Sequence, residues 1–120
     1  MARREAKTVP VHELPTVLVV GCSREFGQRC REAAAKAGAI VRAVEVEMAA
    51  AMAGTCHPLA IVILGGVYDA AQANYDELAR TNLSNVVRVA DEQIAQEELE
   101  PAVLTAIAAT RQQRGQPPLK

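Results

Sequence analysis

Two short, uninterrupted apolar runs constrain the fold of this chain more than any other feature. Residues 17–20 (VLVV) and 59–64 (LAIVIL) contain no polar side chain. A strand with one face in water alternates apolar and polar residues, whereas a strand in a parallel sheet is covered on both faces. Both runs therefore predict strands at the centre of a parallel sheet.

Helical patterns alternate with these strands. Small and apolar residues recur at helical spacing over 26–37, and residues 47–54, 70–81 and 101–111 also have helical composition. Residues 39–46 and 86–89 predict further strands. The order β-α-β-α-β-α-β-α predicts an α/β domain of three layers, with helices on both faces of a sheet. We expect a doubly wound parallel sheet of four to five strands, flavodoxin-like in layout.

Individual residues refine this layout. Ser23 is placed to cap the first helix, and Gly38 and Gly54 are placed to end the first and second helices. Gly65-Gly66 predicts a turn after the second apolar run. Met48 and Met52 are predicted to fill the core. The stripe predicted to face the core from the last helix consists of Val103, Leu104, Ile107 and Ala108.

Composition argues against several classes of function. The net charge is −1, with acidic and basic residues interspersed, so no nucleic-acid partner is expected. No apolar stretch approaches the roughly 20 residues that cross a bilayer, so we expect no membrane insertion. The N-terminus also lacks the apolar core of a signal peptide, which favours a cytoplasmic location. The three cysteines are not spaced as a disulfide framework or a metal site, so reduced thiols are expected.

The chain divides into one domain and two terminal segments. Residues 1–15 contain two prolines and mixed charge without an apolar period, which predicts a flexible lead-in. The domain is predicted over 16–112, and residues 113–120 are expected to form a disordered tail.

The first half of the domain resembles a response-regulator receiver domain. The similarity covers the strand at 17–20, a helix ending in KAG, a second strand, a short alanine-rich helix and the run HPLAIVIL. Residues 97–107 resemble the last helix of that family. Receivers hold magnesium with an acidic pair after the first strand, and Gly21 and Cys22 stand there in this chain. Leu64 or Gly65 replaces the phosphorylated aspartate, and no lysine precedes the last helix.

The resemblance therefore implies a degenerate receiver that is not phosphorylated on aspartate, because these replacements can neither hold magnesium nor form an acyl phosphate. It implies a non-catalytic module without cofactor or metal, which docks a protein partner in bacterial signalling. Ligand sites of such sheets gather at the carboxyl ends of the strands. The candidate interaction edge at those ends comprises Gly21, Cys22, Ser23, Arg24, Gly65, Gly66 and Tyr68.

Two points about this surface stay open. Tyr68 is either an exposed aromatic anchor for a partner or a cover over the core. A homodimer is a further option, because a sheet with so few aromatic residues gains from burying another apolar helix face.

A phosphocysteine carrier is one alternative function. Cys22 follows a strand and precedes a helix, where backbone N–H groups and the helix dipole lower the pKa of a thiol. This arrangement is similar to the cytosolic B subunits of disaccharide phosphotransferase systems, which are four-stranded and carry a phosphocysteine after the first strand. In this chain Arg24 favours a bound phosphate, whereas Glu25 and Phe26 oppose it by charge and bulk.

A small nucleotide- or anion-binding module is the other alternative. Gly21 and Gly27 follow a strand, as glycines do in dinucleotide-binding loops. The further glycines of that pattern are absent, and Glu25 occupies one of their places.

Overall fold

A parallel sheet of four strands organises residues 14–115, the part of the chain that this computed structural model describes. The strands are β1 (Thr16–Val20), β2 (Ile40–Val44), β3 (Ala60–Leu64) and β4 (Asn85–Val89). They pair in the order β2-β1-β3-β4, and each pair is parallel. The predicted doubly wound sheet is confirmed. The predictions for residues 1–13 and 116–120 lie outside the described residues.

Within residues 14–115, five helices cover the two faces of the sheet. They are α1 (Arg24–Ala35), α2 (Ala49–Cys56), α3 (Gly65–Ala70), α4 (Gln72–Thr81) and α5 (Gln96–Gln113). A 3-10 turn, Val46–Met48, precedes α2. Helices α1 and α5 pack on one face, and α2, α3 and α4 lie on the other. The chain passes from β1 to β2 and then to β3 on the far side of β1, so the strand order reverses between β1 and β3.

The apolar runs exist because β1 and β3 contribute to two cores at once. In β1, Val17 and Val19 pack with α1 and α5, whereas Leu18 and Val20 pack with α2 and α4. All four side chains are fully buried. Each buried aliphatic side chain of this size contributes about 1.5–3 kcal/mol relative to an exposed one. Because side chains on both faces of β1 are buried, a polar residue at any of these four positions would remove this stabilisation.

Helix α1 follows its sequence signals closely. The Ser23 hydroxyl accepts a hydrogen bond from the Phe26 N–H at 3.2 Å, which confirms the predicted cap. At the other end, Gly38 takes the left-handed conformation, with φ of +74°. The Ala39 N–H then donates to the Ala34 carbonyl at 3.0 Å, which closes the helix.

Two glycine predictions and one methionine prediction are wrong. Gly65 and Gly66 begin α3 instead of forming a turn. Helix α2 continues past Gly54 and ends where His57 adopts a left-handed conformation, with φ of 47°. Met48 lies in the 3-10 turn before α2 and is 50% exposed, so it does not fill the core, whereas Met52 packs against the core as a partly buried residue.

Helix α5 starts earlier than the sequence indicated. It begins at Gln96, so Pro101 lies inside the helix at its sixth residue. Its buried stripe consists of Leu99, Val103, Ala106, Ile107 and Thr110. Val103 and Ile107 are therefore confirmed as core residues, Leu104 is partly buried, and Ala108 is exposed.

Candidate functional site

The loop after β1 begins with a glycine in the left-handed conformation. Gly21 has a φ of +65°, and a Cβ there would lie 3.0 Å from Val46 Cγ2. Its N–H donates to the Val44 carbonyl at 2.8 Å, which continues the pairing of β1 with β2. Gly21 therefore has a structural role in this loop.

The N-terminus of α1 already holds a carboxylate from the same chain. The Ser23 N–H donates to Glu92 Oε2 at 2.9 Å, and the Ser23 hydroxyl donates to Glu92 Oε1 at 2.6 Å. A helix N-terminus favours a negative charge, because its first N–H groups are unpaired and its dipole is positive there. Glu92 occupies the position that an external anion would take, so an anion at this loop would have to displace it.

The loop between β4 and α5 is fixed on α1 by Arg29. The guanidinium donates to the Glu92 carbonyl at 2.9 Å, to the Ile94 carbonyl, and to Gln96 Oε1 at 2.9 Å. The Gln96 amide returns a hydrogen bond to the Arg29 carbonyl at 3.1 Å. The guanidinium carbon also lies 5.9 Å from the centre of the Phe26 ring. These contacts hold Glu92 over the end of the sheet.

Cys22 is a half-buried thiol that the surroundings keep protonated. Its Sγ donates to the Val20 carbonyl at 3.4 Å. Burial, and to a lesser degree the charge of Glu92, raise the pKa of Cys22 from 9.0 to about 11. The prediction that this loop lowers the pKa of Cys22 is therefore wrong, because burial and the charge of Glu92 both raise it. Arg24, at the first position of α1, is exposed.

Gly65 provides space for an arginine from the neighbouring strand. A Cβ at Gly65 would lie 2.9 Å from Arg88 Cζ, whereas a Cβ at Gly66 would meet nothing within 4 Å. Arg88 donates from Nε to Asp69 Oδ1 at 3.1 Å and from Nη2 to Asp69 Oδ2 at 2.7 Å. The hydrogen bond from Arg88 lowers the pKa of Asp69. This bidentate pair ties α3 to β4, which explains the first glycine and leaves the second without a structural reason.

Tyr68 covers the core. It is partly buried against the α2–α4 side of the sheet, with its ring centre 6.4 Å from that of Tyr75. Its hydroxyl donates to Asp76 Oδ1 at 2.5 Å, and this bond raises the pKa of Tyr68. The hydroxyl is thus engaged with α4, which favours the interpretation of Tyr68 as a cover over an exposed anchor.

The structure brings the predicted edge together only in part. The loops after β1 and β4 meet through Ser23 and Glu92. Gly65 and Tyr68 face Arg88 and α4 instead. The sequence places residues 90–93 at this edge, but it did not predict the contact of Arg29 with Glu92, because the two residues are separated by 63 positions and no local pattern indicates the contact.

A groove between α2 and α4 lies on the face of the sheet opposite α1 and α5. This α2–α4 groove has a volume of about 490 Å³. Its lining residues come from the 3-10 turn, the two helices and the residue that precedes α4: Val46, Glu47, Ala49, Ala50, Ala71, Asn74, Tyr75, Glu77, Leu78 and Thr81. A second concavity of about 580 Å³ shares Val46, Ala71 and Tyr75 with it and continues to the loop after β4. The two form one connected surface.

The groove is apolar at its base and open to solvent. Tyr75 and Ala49 are buried at the base, while Val46 is 43% exposed at one end. Met48 stands beside Val46 at the end of the same turn and is also exposed. On the other face of the sheet, α1 and α5 pack directly against each other. The small side chains of the alanine-rich α2 leave the corresponding space between α2 and α4 unfilled.

Within residues 14–115, no group of three or more His, Cys, Asp and Glu side chains is arranged to hold a metal ion. No helix in the described part of the chain is long and apolar enough to cross a membrane.

Comparisons of the chain with protein-family models, with curated proteins and with solved structures found no match. By its fold, the chain is a three-layer α/β protein with a parallel sheet. The receiver resemblance stays a prediction.

Proposed function

We propose that the chain is a non-catalytic docking module that binds a protein partner through the α2–α4 groove. The observation that carries this proposal is an open, mostly apolar groove beside the exposed side chains of Val46 and Met48. Apolar concavities of this kind are preferred sites for partner side chains. The receiver resemblance adds the context of a cytoplasmic pseudo-receiver in bacterial signalling.

The energetics favour a covered groove. Fully burying an exposed valine or methionine side chain contributes about 1.5–3 kcal/mol. Val46 is 43% and Met48 is 50% exposed, so a partner that covered both would gain roughly 2 kcal/mol from these two residues. The interaction edge around Cys22 offers a partner fewer unpaired groups, because Glu92 and Arg29 already form hydrogen bonds there.

The phosphocarrier alternative is supported less well by the geometry. A phosphocysteine requires a reactive thiolate and donors that surround the phosphate. The pKa of Cys22 is raised to about 11, and the N–H of Ser23 is directed to Glu92. Both features favour a structural role for Cys22 in this loop.

Two neighbouring alanines provide a matched test. Ala50 lines the groove, whereas Ala51 is exposed on α2 but is not among the lining residues. We expect Ala50→Arg to abolish capture of the native partner from the source organism, while Ala51→Arg and Cys22→Ser retain it. Quantitative mass spectrometry of cross-linked complexes measures the difference, and circular dichroism checks that all variants are folded. Equal capture by the two arginine variants would refute the proposal.

A further inference from the structure

We infer that the occupant of the α2–α4 groove is an amphipathic helix of the partner, with an apolar stripe flanked by lysine and arginine. This inference rests on the proposed docking function. It specifies the chemistry of the partner from the charge and the walls of the groove.

The charged residues that line the groove and the concavity that continues it are all acidic. Glu47 and Glu77 line the groove itself, and Asp91 lines the concavity that continues it. Neither lining contains a lysine or an arginine. Burial, and to a lesser degree the charge of Glu47, raise the pKa of Tyr75 at the base of the groove. Glu77 shares its charge with Arg80 on the same helix, so Glu47 and Asp91 carry most of the free negative charge. A partner with basic flanks complements this surface.

The walls of the groove favour a helix over a strand. Strand addition needs an open sheet edge that offers unpaired backbone groups. Here both walls are helices, and the groove is lined by their side chains. Helix α4 has 10 residues and is about 15 Å long at 1.5 Å per residue. A partner helix of about three turns therefore spans the groove and presents apolar residues at i, i+3, i+4 and i+7 to its base.

A peptide library tests the charge of the occupant. We would display helical peptides with a fixed leucine stripe and randomised flanking positions, and select them on the full chain. We expect lysine and arginine to be enriched at the flanks. An enriched peptide should bind about tenfold more tightly than the same peptide with its basic residues replaced by glutamate. Fluorescence anisotropy measures both affinities, and the difference should shrink between low and high salt because rim charges are screened.

Variants of the chain locate the binding site. Ala50→Arg should abolish binding of the selected peptide, and Ala51→Arg should leave it unchanged. Glu47→Lys should reduce the preference for basic flanks, whereas Glu97→Lys, an exposed change on the opposite face, should not.

Several outcomes would overturn the inference. Selection of peptides with neutral or acidic flanks would contradict an occupant with basic flanks. Failure to find any peptide that binds above background would contradict a helical occupant. A dimer in sedimentation that Ala50→Arg dissociates identifies a second copy as the occupant. Tighter peptide binding after replacement of Arg3 and Arg4 by glutamate identifies the chain's own N-terminal segment. If native capture still separates Ala50→Arg from Ala51→Arg, the docking function survives these failures; if it does not, the docking function fails as well.

Discussion

Alkylation of Cys22 tests the electrostatics of the loop after β1. Burial and the charge of Glu92 raise the pKa of this thiol from the ordinary 9.0 to about 11. Only the thiolate reacts, so the reactive fraction at neutral pH is about one-hundredth of that of an unperturbed cysteine. A thiolate becomes more nucleophilic as its pKa rises, with a Brønsted slope of about 0.4–0.5, which recovers up to about tenfold. We therefore expect alkylation of Cys22 to be roughly tenfold slower than that of a free cysteine.

The assay is iodoacetamide labelling between pH 7 and pH 11.5, followed by peptide mass spectrometry that distinguishes the three cysteines. The rate at Cys22 should keep rising until about pH 11. Glu92→Gln removes the negative charge but keeps an acceptor oxygen. The midpoint of the curve of alkylation rate against pH should therefore move to lower pH. It should remain above 9.0, because burial is the larger cause of the shift. Glu97→Gln, an exposed carboxylate in the first turn of α5, serves as the control and should leave the midpoint unchanged.

A midpoint at or below pH 9.0 in the folded protein would refute this reasoning. It would mean that the dipole of α1 outweighs both burial and Glu92, and it would restore the case for a phosphocysteine. Circular dichroism at each pH establishes that the labelled protein is folded.

Three further predictions concern stability. Thr110 is fully buried and donates to the Leu59 carbonyl at 2.5 Å, so Thr110→Val should lower the free energy of unfolding by about 1–3 kcal/mol. An unchanged urea midpoint would show that this hydrogen bond contributes nothing. Gly21→Ala should cost about 1–2 kcal/mol from the left-handed backbone alone, and contact with Val46 adds to it; calorimetry measures the loss, and a neutral result contradicts it. The folded pKa of Cys22 exceeds the unfolded value, so the unfolded chain loses this proton first as pH rises. The resulting stability is complete below pH 9 and is lost as pH rises to about 11, so Cys22→Ala should lose less stability across that interval in urea titrations.

The fold was readable from the sequence because its main signal is local. Both central strands are covered on two faces, so each appears as an uninterrupted apolar run. The Ser23 cap and the Gly38 terminus are also local, since each acts within a few residues of its own position. Gly65 was misinterpreted because its role depends on Arg88, which reaches it from another strand. No neighbouring residue indicates that contact.

The candidate site was less predictable for the same reason. The partner of Ser23 is Glu92, 69 residues away, and its position depends on a loop that Arg29 fixes from a different helix. The groove arises from the small side chains of α2, facing Tyr75. The alanine-rich composition of residues 49–53 was the available signal, but alanine is equally compatible with close helix packing.

Because β3 is aliphatic and buried on both faces, its own side chains do little to prevent the strand from slipping along its neighbours. A slip of one residue exchanges the two faces of a strand. In β3 that exchange would replace one set of aliphatic side chains with another and would bury no polar group. Polar contacts at the start of the strand can specify its register instead. Thr110 joins the Leu59 carbonyl to the Asn85 amide, at 2.5 and 2.7 Å, and thus links α5, the start of β3 and the start of β4 at a single hydroxyl group. A slip of β3 along β4 would separate the Leu59 carbonyl from this hydroxyl group, so the polar junction favours the observed register.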